Sequence, residues 1–307
     1  MLRLILWRLV QLPVILAVIF ALTLVMAWII PGNPLQQPEG RRPTREVQEA
    51  MRRQYNLDNI WTFTGSYLKS LILHGDLGPS LSYPDQRVND IIASGLPVSV
   101  QIGVAGLCVA LALGLAAGLA GALRPGSALD MSSLALALVG VSLPTFITGT
   151  LLLIVFGGLL HWAPIGGWWG RPQQMILPAL TLGAAPAAYI ARLIRLGLAD
   201  VMGSDYIRTA RAKGVPPGRV LFHHALKVAF LPVLSFLGPA AAVTFTGSFV
   251  VEQVFGIPGL GEHFVKAVQD KDRFLVLGLV PVYSTMLIVF NLIVDVAYAC
   301  VDPRIEL

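Results

Sequence analysis

Six apolar stretches dominate the chain, near residues 9–30, 98–123, 134–160, 175–194, 231–254 and 274–300. Each is long enough to cross about 30 Å of hydrocarbon as a helix. The segments between them differ. Residues 31–96 are too long for a bare connection and carry a periodicity of their own. Thr44 stands where a helix running to about Tyr55 would be capped. Val47, Ala50, Met51 and Gln54 form one face of it, and Arg45, Glu46, Gln48, Glu49, Arg52 and Arg53 largely take the others. A second apolar stretch, 61–73, suits a helix along the membrane interface, with Trp61, Phe63 and Tyr67 as anchors. Gly75, Gly78, Pro79 and Pro84 then break the chain before a short segment at 88–94. This outer segment is either a platform for an external protein or a cover over the end of the bundle, and the pattern leaves both open. Prolines complicate two of the long stretches most. The third, longer than a crossing needs, is expected to tilt or kink near Pro144, and the fourth is interrupted by Pro178 and Pro186. The pattern predicts an all-α, polytopic membrane protein with six transmembrane helices in one domain over 1–307, a long first loop at 31–96 and a polar loop at 195–230.

Composition agrees. With 55% hydrophobic residues, 13% charged and a mean hydropathy of +0.72, the chain is no ordinary soluble domain. Arg3 and Arg8 precede the first stretch as in a secretory signal, but that stretch has the length of a full span. It ends at Trp28-Ile29-Ile30-Pro31 without a small-residue cleavage pattern, so it is expected to be retained. Charge sets the orientation. With both termini inside, seven Lys and Arg crowd between Arg192 and Lys227, against Arg171 alone in the middle outer loop. The long first loop lies near the length at which translocation ignores charge. The pI of 9.4 follows from this inner excess and needs no nucleic-acid partner. Cys108 and Cys300 both fall in apolar stretches and are expected as small buried side chains, with no disulfide framework outside.

The most informative motif lies between the fourth and fifth stretches. Ser204 or Asp205 can cap a helix start, and Tyr206, Ile207, Arg208, Thr209, Ala210, Arg211, Ala212 and Lys213 continue it. Gly214 and Pro216-Pro217 end it. Arg208 and Arg211 share a face, as do Thr209 and Lys213. One reading is an ordinary positive loop required by topology; the other is a surface that a second protein grips. In the second, Ile207, Ala210 and Ala212 pack in a partner's groove, Arg208 and Arg211 set the register, and Gly214 turns the chain toward Pro217.

Few polar groups occur at depth. Asn291 and Asp295, one turn apart near the inner end of the last stretch, are expected to face protein or water, with Asp295 paired to an inner basic group. Thr244, Thr246 and Ser248 either line a path or bond their own helix carbonyls. Gly114, Gly118 and Gly121 present a face for a close helix neighbour, in another subunit or in this one. Phe255, Gly256, Ile257, Pro258 and Gly259 are expected as a tight turn at the outer mouth, with glycine at positive φ in Ile257-Pro258-Gly259. No phosphate-cradling Gly-rich loop with its lysine occurs, nor a nucleophile elbow, a His-Glu-x-x-His helix or a Cys-x-x-Cys pair. His161, His223, His224 and His263 show no metal-ligand grouping. No catalytic, cofactor-binding or metal residue is therefore nominated, and energy for any driven transport must enter through another chain.

Tyr206 to Gly214, with His224-Ala225-Leu226-Lys227 and Leu231-Pro232, resembles the cytoplasmic-loop signature of binding-protein-dependent ABC importer permeases. Arg208-Thr209-Ala210 stand where the general motif opens on Glu-Ala-Ala, and Lys227 stands where it has proline; both departures resemble the branch importing oligopeptides, dipeptides and nickel. Met1-Leu2-Arg3 through Pro31-Gly32-Asn33-Pro34, His74 to Ser80, Phe255 to Gly261 and Val301 to Ile305 resemble further segments of that branch, in order. The details are most similar to its B-type oligopeptide permease subunits. The resemblance implies a type-1 transmembrane domain over 1–307, multi-pass in the bacterial inner membrane with both termini cytoplasmic. It implies a coupling helix at Asp205 to Gly214, a second related permease, two ATP-binding subunits carrying ATP and Mg, and a periplasmic or lipid-anchored substrate-binding protein. Dipeptides, nickel or another small solute are alternative cargoes. A secondary transporter would need coupling-ion sites and commonly shows internal repeats, and an intramembrane protease would need a second acid beside Asp295; the sequence offers neither.

Overall fold

The computed structural model describes residues 2–31, 35, 44–83 and 85–301. In order the helices are α1 (Leu2–Ile29), α2 (Arg45–Gln54), α3 (Ile60–His74), α4 (Val88–Leu123), α5 (Ala128–Ser142) and α6 (Thr145–Leu152), the last continued by a π-helical turn, Leu153–Leu159. Then come α7 (Gln173–Met202), α8 (Asp205–Ala212), α9 (Pro217–Arg219), a second π-helical turn (Val220–Ala225), α10 (Leu226–Ala229), α11 (Leu231–Phe255), α12 (Leu260–Gln269) and α13 (Arg273–Val301). The protein is all-α, as expected of a chain whose apolar backbone must satisfy its own hydrogen bonds in lipid.

Among the described residues, five helices are long and apolar enough to cross a membrane: Val10–Ile29 of α1, α4, α7, α11 and Arg273–Tyr298 of α13. The third predicted stretch is not one helix. It is split between α5 and α6, where Pro144 takes φ −57° and ψ 140° and starts α6 anew. Proline clashes with a helical residue before it and lacks the N–H that would continue the ladder, so the expected kink is a break. By contrast α7 runs unbroken through Pro178 and Pro186, both buried. It is also the most enclosed of the five, with 61% of its most apolar stretch buried against 6% for α1. Neighbouring helices can satisfy the carbonyls that proline frees.

The chain divides into two compact units, one built on Val100–Ile257 with the end of α13 from Val289, the other on Leu6–Ser99 with Pro258–Ile288. In the first unit α7 is the central post. A Cβ on Gly114 would lie 2.6 Å from Ile190 Cβ and one on Gly118 2.7 Å from Ala191 O, so α4 approaches α7 closely through its glycines. The small-residue face therefore packs within this chain. Thr244 donates to Ala240 O at 2.8 Å, Ser248 to Phe245 O at 2.7 Å and Thr246 to Ala242 O, so these hydroxyls bond their own helix. Cys108 is exposed, contrary to the expected burial, because it lies on the side of α4 away from the glycines; the side chain of Cys300 lies outside the described residues.

In the second unit Phe63 and Tyr67 of α3 are buried rather than interfacial. Phe63 meets Phe274 edge-on at 5.2 Å and Tyr67 stacks on Phe20 at 5.6 Å, while Trp61 stays 81% exposed. Asp272, fully buried, joins the start of α13 to the 80–82 loop: its Oδ2 accepts from Ser80 Oγ (2.7 Å), Leu81 N (2.6 Å) and Ser82 N (2.8 Å), and Oδ1 accepts from Leu275 N (3.1 Å). Burial pushes the Asp272 carboxyl up, against the pull of these four bonds. Tyr83 and His263 Nδ1 lie 2.9 Å apart, with the Lys266 ammonium 4.5 Å over the Tyr83 ring.

Candidate functional site

The predicted helix is present as α8, and its two sides have different environments. Ile207 is 0% exposed and belongs to one buried cluster with Ile190, Ile194 and Leu198 of α7, Leu221 and Ala225 of the second π turn, and Val233 of α11. Ala210 and Val215 pack against the same cluster. Tyr206 is 45% exposed, and Asp205, Arg208, Thr209, Arg211, Ala212, Lys213 and Gly214 are exposed. The expectation that Ile207 and Ala210 fill a partner's groove is therefore corrected: both sit in this chain's own packing. Ala212 alone of the three stays open.

Both ends of α8 are defined by backbone chemistry. Neither Ser204 nor Asp205 caps the start with its side chain; Ser204 Oγ instead donates to Val201 O at 2.6 Å, and Thr209 Oγ1 donates to Asp205 O at 2.9 Å. At the other end Gly214 has φ +75°, Gly214 N donates to Arg211 O (2.9 Å) and Val215 N to Ala210 O (3.2 Å). These paired bonds form a Schellman closure, which requires a left-handed residue. Nothing lies within 4 Å of a Cβ placed on Gly214, so the glycine is demanded by backbone conformation and not by crowding. On the exposed face Arg208 pairs with Asp205 at 3.4 Å, a contact worth only a few tenths of a kcal/mol. The Arg211 guanidinium reaches Met202 Sδ at 3.8 Å.

The chain after α8 returns to the bundle through the second π turn, where Val220, Leu221 and Ala225 are buried and His223 and His224 exposed. Lys227 is exposed beyond it. Both sides of the α8 loop are thus fixed to the α7 and α11 posts. A further tie stiffens α7 nearby. Arg195 Nε and Nη2 donate to Asp130 Oδ1 and Oδ2 at 2.6 and 2.9 Å, and Gly126 N donates to Oδ2 at 2.9 Å. The Arg195 bonds, followed by that of Gly126, hold the Asp130 carboxyl below its ordinary range. Its sequence signal was faint: Asp130 is an isolated acid just before the third apolar stretch.

Asn291 and Asp295 share a face of α13, where the Asn291 carboxamide oxygen lies 2.6 Å from the Cβ position of Gly238 and Asp295 is half-buried. Asn291 thus meets the backbone of α11. The Phe255 to Gly259 turn is present, but its positive φ falls elsewhere than expected. Gly256 has φ 59° and ends α11, with Ile257 N donating to Glu252 O at 2.9 Å, whereas Gly259 is extended at φ −98°, ψ −179° and starts α12. A helix end needs the left-handed residue directly after its last turn, which puts it before the proline. Phe255 is buried, and its carbonyl accepts from Gly167 N at 2.9 Å.

These features define an all-helical, multi-pass membrane subunit with a short amphipathic helix rigidly set between two posts. Residues 110–307 match the model of the family described as binding-protein-dependent transport system inner membrane component, and the chain belongs to that family. Along its full length it is 42% identical to the oligopeptide transport system permease protein OppB of Escherichia coli (strain K12), covering 100% of both chains. It is 40% identical to the dipeptide transport system permease protein DppB of Bacillus subtilis (strain 168), over 94% of this chain and 93% of that one. Among solved structures, the inward-facing MetNI methionine ABC transporter has the same fold, with a TM-score of 0.57 at 20% identity over 69% of this chain and 96% of that one.

Proposed function

We propose that this chain is the permease subunit of an ATP-driven importer, forms half of a translocation pathway for oligopeptides, and takes its driving motion through α8. The observation that carries the reading is the two-sidedness of α8. Ile207 is wholly buried in the chain's own core while Tyr206, Arg208, Thr209, Arg211 and Ala212 face outward. A helix that slid on its own subunit would dissipate a push. One anchored to α7 and α11 transmits it. In that role the outward face seats in a groove of an ATP-binding subunit, where paired charges set register more than affinity. On this reading α8 is cytoplasmic, the termini lie inside, ATP and Mg stay on two partner ATPases, and a second related permease completes the pathway. A periplasmic or lipid-anchored protein delivers cargo. Full-length identity to an oligopeptide permease supports the cargo class, and the 40% identity to a dipeptide permease favours dipeptides as the second reading. The test is peptide uptake in cells carrying the whole transporter with Ala212→Glu in this chain. Uptake should fall severalfold with the subunit still in the membrane, and ATPase co-purification should weaken. Unchanged uptake and assembly would mean that α8 is a solvated loop.

A further inference from the structure

The segment between the first π turn and α7 holds a cavity of about 490 Å³ that the coupling argument does not use. Its wall includes His161, Trp162, Ile165, Trp169, Arg171 and Gln174. Trp162 and Trp169 are 74% and 72% exposed, so both indole faces are open to a ligand or to the membrane interface. Gln174, in contrast, is only 5% exposed. Its Oε1 accepts from Trp169 N at 2.8 Å and from Arg171 N at 3.3 Å. Both partners are N–H donors, so the carboxamide can face them only with its oxygen, and Nε2 is left as a donor seeking an acceptor. That nitrogen is buried and has no partner. Native interiors rarely leave such a donor unanswered. The Arg171 side chain, exposed at the same cavity, adds a cation. The segment is also fixed to the end of α11 by the bond from Gly167 N to Phe255 O.

We propose that this cavity binds the C-terminal carboxylate of a peptide, with Gln174 Nε2 and the Arg171 guanidinium donating to its two oxygens and Trp162, Trp169 and Ile165 covering the adjoining side chain. The ligand class rests on the permease reading. A planar carboxylate joined to an apolar side chain matches one amide donor, one guanidinium and an indole-lined wall. It would make the loop a receiving site for cargo at the end of the pathway where α11 terminates.

The test uses the full chain in phosphatidylcholine nanodiscs, titrated with alanyl-alanyl-leucine and with its C-terminal amide, read by tryptophan fluorescence. The free acid should bind and the amide bind at least about tenfold more weakly, as expected for loss of a charge-assisted bond. Gln174→Glu keeps an oxygen for the Trp169 and Arg171 N–H groups but removes the donor, so it should abolish acid binding without loosening the loop. Arg171→Gln should weaken it about tenfold. Equal binding of acid and amide, or no effect of either variant, overturns the proposal. So does a response that follows added phosphatidylglycerol instead of peptide, which would make the cavity a headgroup cradle. Uptake of the same tripeptide by cells with the whole transporter separates the two readings: uptake with unaltered binding in the variants sinks only this site, and absence of uptake sinks the permease reading while the titration still decides the site.

Discussion

α2 and α8 are both short, charged, amphipathic helices between longer apolar ones, and they end up in opposite situations. α2 has no buried residue: Val47 on its apolar face is 48% exposed, and Thr44 makes no side-chain cap. α8 is shorter, yet Ile207 is 0% exposed and its end is locked by Gly214 at φ +75°. Amphipathic pattern alone does not separate a helix that rests on a surface from one keyed into a core. The difference comes from what each pattern meets. Around Ile207 the flanking segments, α7 and the second π turn, return buried apolar side chains to the same cluster. No burial of comparable depth is found on α2. A mechanical role suits only the keyed helix.

The contrast breaks most easily at the buried residues. Ile207→Ala should destabilise the subunit by about 2–5 kcal/mol, the usual cost of emptying a packed site, and abolish uptake; Val47→Ala should stay within about 0.5 kcal/mol. Thermal denaturation in detergent reads the first quantity and peptide uptake the second. Equal effects at the two positions would erase the distinction. Next in size is the closure of α8. Gly214→Val should cost about 1–2 kcal/mol of left-handed backbone strain and cut uptake, while Gly214→Asn, which tolerates that conformation better, should recover part of it. Because the space around Gly214 is open, steric crowding predicts no such ordering.

A smaller effect tests anchoring in the unit that contains α2. There α12 is tied through His263 to Tyr83, whose hydroxyl is pushed up to about 12 by burial and then by Glu262, Asp270 and Asp272. Burial lowers the His263 pKa below 6.5, so its folded form holds a proton less tightly than the unfolded chain. The stability it contributes is present above pH 6.5 and lost as pH falls through the depressed value. The thermal midpoint should therefore decline below that pH, and His263→Gln should flatten the decline. Smallest of all, Thr44→Ala should change stability by no more than about 0.5 kcal/mol, since its side chain does not cap α2. A loss near 1 kcal/mol would mean that Thr44 caps α2 after all.

Much of this was legible from local pattern. The long apolar runs, the short helix at Asp205, a disturbance near Pro144 (expected as a tilt or kink, found as a break) and the helix end at Gly214 all follow from residue spacing and backbone sterics. What escaped was tertiary. α7 survives Pro178 and Pro186 because its neighbours enclose it, which no propensity reveals. Which side of α8 turns inward depends on α7 and the π turn, so Ile207 reads equally well as a docking residue or a core residue in sequence. The Gly256 and Gly259 assignment went to the wrong glycine because the end of α11, one residue before Gly256, sets the turn. Asp272 gathers three of its four donors from residues 80–82, some 190 positions away, and Asp130 finds Arg195 65 positions away. Pairings at that range leave no periodic trace.

On the proposed function, the outward side of α8, and not its buried side, meets an ATP-binding subunit. Single cysteines placed at Arg208, Ala210 and Ala212, and at Val47 as a control, in a chain carrying Cys108→Ser and Cys300→Ser, would test it within the assembled transporter. A short thiol-reactive crosslinker should join Arg208→Cys and Ala212→Cys to an ATP-binding subunit, with yields changing when nucleotide is added, and should leave Ala210→Cys and Val47→Cys unlinked. Crosslinking from Ala210→Cys in place of Ala212→Cys, or from none of the α8 positions in a transporter that still takes up peptide, would contradict it.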